Sequence, residues 1–463
     1  MSADKKQGND LLSYIREGRS MSRSEKLRLI VSLSIPSILA QVSATVMFFI
    51  DAAMVGHLGA RATAAIGLVE TTTWLLGGLG SAASLGFSVQ VAHFIGANDF
   101  EGARRVLRQS LVCCFLWGLM LSLACLAVHA HLPYWLGGSE DIARDASLYF
   151  AIVGVSGIFF QLEGLAASML KCSGNMKIPS LLSIGMCLMD VLFNYVFIYQ
   201  LGLGVKGAAL GTGLAELLTA ILMLYFLLVR SETLSLTGRW GSFRPQTDTV
   251  KTAFKIGAPM GVQHLLMGGA QIVSTAIVAP LGTVAIAANS LAITVESLCY
   301  MPGFGIAEAA TTLVGQSLGA GQRVLTRSFA YMSVGMGMAV MTLMGLLMYV
   351  FAPELMAIMT PVSDIIAQGT TALRIEAWAE PMFAATIVAN GVFIGAGDTI
   401  LPALMSLGSM WGIRLTLAAW LAPVYGLRGV WTAMAIDLTT RGVLFLGMLW
   451  RGRWDSKYSI KNN

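Results

Sequence analysis

Charge is scarce in this sequence. Asp, Glu, Lys and Arg make up 12% of its 463 residues, against 56% hydrophobic residues and a mean hydropathy of +0.71. So little polar surface excludes a water-soluble domain and points to a polytopic membrane protein. Proline is also scarce, 12 against 50 glycines and 26 methionines. That balance suits helices packed through small residues and not the alternating strands of a porin-like barrel, so the expected fold class is all α. The six cysteines (Cys113, Cys114, Cys125, Cys172, Cys187 and Cys299) lie in or beside apolar runs without metal-ligand spacing. They read as small buried hydrophobes that need no disulfide. No HExxH-type constellation is present, so neither an enzyme nor a cofactor is expected. The net charge of +5 is spread over short segments and not gathered in one stripe, which argues against a nucleic-acid partner.

What is present is a series of twelve long apolar segments, at about 28–56, 62–95, 104–130, 145–171, 178–200, 207–229, 252–279, 284–317, 325–351, 366–393, 400–423 and 429–450. The polar N-terminus has no cleavage-type apolar region after it and is expected to stay as a cytoplasmic leader, 1–27. Within the leader, LLSYIREG reads either as an amphipathic turn on the membrane surface or as a disordered tail. Alternate connections carry most of the basic residues, among them Arg104, Arg105, Arg108, Lys171, Lys177, Arg230, Arg239, Arg323 and Arg327, whereas the others hold only Arg61, Arg144, Lys206 and Arg428. By the positive-inside rule both termini are cytoplasmic in a multi-pass protein of the inner or plasma membrane. A monomer in the lipid bilayer is expected.

A constant offset of 223, the separation of Pro36 from Pro259, organises the chain. It aligns Leu58–Gly59 with Leu281–Gly282, Ala64–Ala65 with Ala287–Ala288, Gly96–Ala97 with Gly319–Ala320, Gly174 with Gly397, and Pro179 with Pro402. The expected domains are therefore an N-lobe (28–230), a cytoplasmic linker (231–251), a C-lobe (252–450) and a cytoplasmic tail (451–463). An even helix number per repeat makes the repeats parallel, and such proteins hold substrate at the repeat interface and move by rocking the halves. These features describe a two-lobed secondary transporter.

Mechanism in such a chain lives in its few intramembrane polar groups. The stretch LSIPSILAQVSATVMFFID, Leu33 to Asp51, places one carboxylate fifteen residues after Pro36, roughly 22 Å along a helix. In the fifth segment, MCLMDVLFNYVFIYQ sets Asp190 and Asn194 four apart on one helix face. Thr212, within GAALGTGLAE, adds a hydroxyl in the sixth. A polar patch that glues helices together is the alternative reading for the Asp190/Asn194 pair.

The order and spacing of IPSILAQ…FFIDAAMVGHLG, GAND, CSGNMKIP, TTLVGQSLGAG and FIGAGDTILP, from about residue 28 to 450, resemble the multidrug and toxic compound extrusion (MATE) family. The resemblance implies a V-shaped pair of six-helix lobes that exports organic, often cationic or amphiphilic, small molecules in exchange for Na⁺ or H⁺. It also implies a cation-coupling site formed by Asp51, Asp190, Asn194 and Thr212, with Na⁺ as a possible metal there. The archaeal-type pattern of the family has the amide first and the acid four residues later, whereas this chain has the acid first. Either coupling ion suits two carboxylates with amide and hydroxyl oxygens. Pro36, which lacks the donor for one helical hydrogen bond, is the expected hinge of the first segment. Its counterpart Pro259 is followed fifteen residues on by Ser274 and not by an acid.

Glu70, Glu163, Glu216, Glu296, Glu308, Glu380 and Asp437 also fall in or near apolar segments. Glu70, Glu163, Glu296, Glu308 and Glu380, with Trp74 and Trp378, are candidates for lining a cavity that attracts cations, although helix-end or helix-pairing roles account for each singly. Phe159, Phe160 and Met301 read as packing or as a repackable wall. His93 and His264 are lone histidines without ligand spacing. A flippase for a lipid-linked substrate of the same superfamily is the alternative function, and only Arg374, Arg414 and Arg441 are available for the basic cavity it would need.

Overall fold

The computed structural model describes residues 11–456, which leaves the expected leader up to residue 10 and the tail from 457 outside the described residues. Among those residues the structure is helical, with no strand. Eleven helices are long and apolar enough to cross a membrane, and one bent pair completes twelve spans. Spans one to six are Arg23–Gly56, Ala60–Gly96, Phe100–Val128, Glu140–Cys172, Lys177–Gln200 and Val205–Arg230. Spans seven to nine are Thr247–Leu281, Thr283–Gly319 and Arg323–Met359. Span ten is the pair Ser363–Ala377 and Glu380–Gly395, and spans eleven and twelve are Ile400–Tyr425 and Leu427–Arg451.

Local chemistry sets the ends of these helices. Span one begins at a capping box: the Ser22 backbone N–H donates to Glu25 (2.7 Å) and the Glu25 N–H donates to the Ser22 hydroxyl (3.2 Å). Asp99 caps span three by accepting from the Gly102 N–H at 2.8 Å. The repeat is visible in the backbone. Gly59 and Gly282, one offset apart, precede spans two and eight at φ of 105° and 99°, a region that L side chains avoid.

Two spans depart from expectation. Span nine does not stop at residue 351 but runs through Pro353 to Met359, because Met356 beyond the proline is fully buried in a core with Met348, Leu373 and Trp431. Span ten is not continuous. It bends by 59° between Ala377 and Glu380, where Pro381 can neither donate to the preceding turn nor tolerate its carbonyl.

Contacts divide the chain into two compact units, Ser43–Gly261 and the chain up to Val42 together with Val262 onward. The boundaries fall inside spans one and seven. Close packing explains why. Gly305 of span eight has no Cβ where the Ile38 backbone of span one passes, so the first half of span one belongs with span eight. Gly86 of span two likewise admits the Ala253 carbonyl of span seven. The connection 231–246 packs on the unit Ser43–Gly261: Leu234 and Leu236 are buried in a core with Leu107, Leu165 and Leu227, and the Gln246 N–H donates to Gln109 (3.0 Å). LLSYIREG forms a helix over 11–17 whose Leu11, Leu12 and Ile15 are buried against protein, with the Ile15 carbonyl accepting from Gln322. This answers the choice between membrane-surface turn and disordered tail with a third arrangement, a docked helix.

Candidate functional site

Spans one, five and six bring Asp51, Asp190, Asn194 and Thr212 together within the unit Ser43–Gly261. The i, i+4 spacing puts Asp190 and Asn194 one above the other, and both are buried. Asn194 Nδ2 donates to Asp190 Oδ2 within its own helix and to Asp51 Oδ1 from span one, each at 3.1 Å. The amide therefore stands between the two acids, which are themselves side-chain neighbours. Thr212 of span six lies beside Asp190. Asp-before-Asn order thus keeps the expected set of groups while assigning the bridging role to the amide. Gly211 makes the approach possible, since a Cβ there would lie 2.9 Å from the Asn194 backbone nitrogen and overlap the amide oxygen.

Two carboxylates this close, away from bulk water, repel strongly unless a cation or a proton accompanies them. Asp190 Oδ1 and Asn194 Oδ1 are buried atoms without a hydrogen-bond partner. Two carboxylates, an amide oxygen and a hydroxyl form a hard, oxygen-only donor set, and the two unpartnered oxygens fit a small hard cation such as Na⁺.

The other expected residues fall into separate groups. Trp74 donates from Nε1 to Glu70 (3.4 Å), and its ring meets Phe48 edge-on at 5.9 Å, so half-buried Glu70 and exposed Trp74 form one acid-and-aromatic patch. Glu308 accepts from the Ser37 hydroxyl and from Gln41 (3.2 Å), tying span eight to span one beside Pro36. Trp378 is exposed at the break of span ten, edge-on to Tyr349. Glu296 and Glu380 are buried and share their surroundings with Glu376, which motif reasoning missed. All four carboxylate oxygens of Glu376 and Glu380 are buried without a hydrogen-bond partner. The spacing of RIEAWAE, two acids four apart on an apolar segment, was the available signal. Arg414 bonds to the Met434 sulfur and acts on Glu296, Asp437 and Glu376, and Arg441 pairs with Asp437 at 2.5 Å. Glu163 lies with Glu216, apart from the aromatic patch.

A duplicated all-helical chain with twelve candidate spans and two acids joined by one amide defines a membrane transporter built from two repeats. The MatE family model matches residues 36–196 and again 259–420, and the two matches begin at Pro36 and Pro259, one repeat offset apart. The chain belongs to the MatE family, whose members are transporters and not enzymes. It is similar to the Thermotoga maritima protein named "Probable multidrug resistance protein NorM", with 24% identity over 92% of this chain and 93% of that one. It is also similar to the "Uncharacterized transporter YisQ" of Bacillus subtilis, at 25% identity over 88% and 90%. Its fold matches a crystal structure of MATE in complex with MaL6 (TM-score 0.89, 21% identity, 96% of this chain and 99% of that one). It matches equally a MOP superfamily transporter from Pyrococcus furiosus (TM-score 0.88, 21% identity, 96% and 99%). The flippase alternative is not favoured.

Proposed function

We propose that this transporter exports organic, often cationic or amphiphilic, small molecules across the cytoplasmic membrane in exchange for entering Na⁺ or H⁺, as a monomer with both termini cytoplasmic. The observation that carries the coupling role is the Asn194 amide held between Asp51 and Asp190, with unpartnered oxygens left for a cation. A bound ion or proton would relieve the repulsion of the two acids, and emptying the site would restore it. Such a site drives a conformational change only if it binds the ion more tightly in one shape of the protein than in the other. Purified protein in liposomes, loaded with ethidium and given separately imposed Na⁺ and pH gradients, is expected to expel the dye under at least one of them. Dye efflux that ignores both gradients would remove the antiport reading.

Pro36 is the proposed hinge. Span one passes from one compact unit to the other between Val42 and Ser43, six residues after this proline, and Asp51 lies beyond the crossing. Probes at residue 46 and on span five are expected to change separation when Na⁺ or pH is varied, and not to do so in Asp51→Asn. A shift that persists unchanged in that variant, or an equal shift around residue 269, would show that Pro36 only shapes packing.

A further inference from the structure

Span one is held along one face in its first half and is loosely packed after it. Leu29, Ile30, Leu33, Ser34, Ser37 and Ala40, spaced three or four apart, are buried, whereas no residue from 41 to 54 is. Polar contacts tie down the docked half as well. Lys26 Nζ donates to Ser328 of span nine at 3.0 Å, and the turn after Pro36 rests in a seat on span eight. In that seat one carboxylate receives two donors. Ser37, the residue after the proline, donates its hydroxyl to Glu308 Oε2, and Gln41, four residues on and on the same helix face, donates from Nε2 to Oε1 at 3.2 Å. Gly305, three residues before Glu308, makes room for the backbone, since a Cβ there would lie 2.6 Å from the Ile38 nitrogen and 2.8 Å from its Cα. The seat is rigid. Thr311 donates to the Gly391 carbonyl of span ten at 2.8 Å, and Cβ atoms on Gly391 and Gly395 would each stand 2.5 Å from a span-eight carbonyl oxygen, of Ala307 and Thr311, so spans eight and ten pack backbone to backbone.

These contacts lie on the moving side of the hinge. A helix that bends at Pro36 carries the following residues with it, and residues 37–41 are the first of them. Such a bend lifts this turn off Gly305 and parts both donors from Glu308. The separation leaves no buried charge unpaired: Glu308 is half-buried, so water can replace the two donors, and a released Ser37 hydroxyl can turn to the carbonyl four residues back on its own helix. The Glu308 contacts also sit at the end of the docked half, next to the crossing between units at Val42.

We propose that Glu308 is a positioning residue for transport: it latches the turn 37–41 of span one onto span eight, and span one bends at Pro36 when both donors leave its carboxylate. This rests on the hinge proposed for Pro36 and names the contact that holds the hinge shut.

The test reads the distance between spin labels at Leu39 and Leu343, positions 53% and 58% exposed on spans one and nine of the same unit, in the full-length protein in liposomes without a gradient. The labels are carried on unnatural amino acids, so that the six native cysteines remain. Gradient-driven ethidium efflux is measured in parallel. Wild type is expected to show one main distance. Glu308→Ala, and independently Ser37→Ala/Gln41→Leu, are expected to raise the ratio of a second distance to the first at least tenfold and to lower efflux at least threefold. Glu308→Gln, which keeps the reach and one acceptor oxygen, is expected to recover most of both. All three substitutions together are expected to add less than twofold to Glu308→Ala, because they remove one and the same contact. A Glu308→Ala distribution that matches wild type overturns the latch, and normal efflux from that variant overturns its role in transport. If Glu308→Ala does not fold, the Ser37→Ala/Gln41→Leu variant, in which the carboxylate is intact, decides by the same two readings. Adding Pro36→Ala to Glu308→Ala separates the latch from the hinge: loss of the second distance supports both, whereas a second distance that persists leaves the latch standing and removes the hinge.

Discussion

Asp51→Asn and Asp190→Asn are each expected to reduce ion-driven efflux at least about thirtyfold while leaving the fold intact. Asparagine has nearly the volume of aspartate and still offers Asn194 Nδ2 an oxygen, so the bridges seen at 3.1 Å can persist. The lost interaction is with the ion: removing one partner of a buried, hydrogen-bonded charge pair costs about 2–5 kcal/mol, and the lower bound is about thirtyfold in binding. Glu70→Gln serves as the comparison and should do far less, because Glu70 pairs with the exposed Trp74 and touches neither acid. Efflux into an imposed gradient, with thermal unfolding measured in parallel, checks all three. Normal efflux from both aspartate variants would remove the proposed coupling site.

Arg441→Met is expected to be the most destabilising substitution in the other unit. Asp437 is fully buried on span twelve, accepts from the Ser409 hydroxyl through Oδ1, and holds Arg441 at 2.5 Å through Oδ2. Taking away the guanidinium leaves a buried carboxylate without its partner, a change that costs about 3–5 kcal/mol. Arg414, the other guanidinium acting on Asp437, is already bonded to the Met434 sulfur. The double variant Arg441→Met/Asp437→Leu removes both charges and should recover most of the loss, since replacing a whole buried pair with apolar groups is often neutral. Unfolding in detergent followed by tryptophan fluorescence measures the cycle. A single variant as stable as wild type, or a double variant as unstable as the single, would show that the pair contributes little to the stability of that unit.

How far each feature was legible in the sequence depends on the distance over which its cause acts. Hydrophobic length is local, so the twelve segments coincide with the twelve spans to within a few residues at most ends. Span nine is the main exception, because the reason it continues past Pro353 is the burial of Met356 among residues of spans ten and twelve. The bend in span ten had a local cause, Pro381 following Glu380.

By itself the sequence determined the class of protein, the number of spans and the duplication, because composition, apolar run length and a constant offset are properties of the chain as a line. The same offset reappears as Gly59 with Gly282 in the backbone and as the two matches of the family model. Only the tertiary structure decided which polar groups meet. Asp51 and Asn194 are 143 residues apart, and their contact depends on Gly211 of a third helix having no Cβ. It also decided that Glu376 joins Glu296 and Glu380, that Glu163 lies with Glu216 away from Glu70 and Trp74, and that spans one and seven are each divided between two compact units. A helix carries its side chains around all sides, and which side faces a neighbour follows from how whole helices pack, a relation that spacing along one segment does not contain.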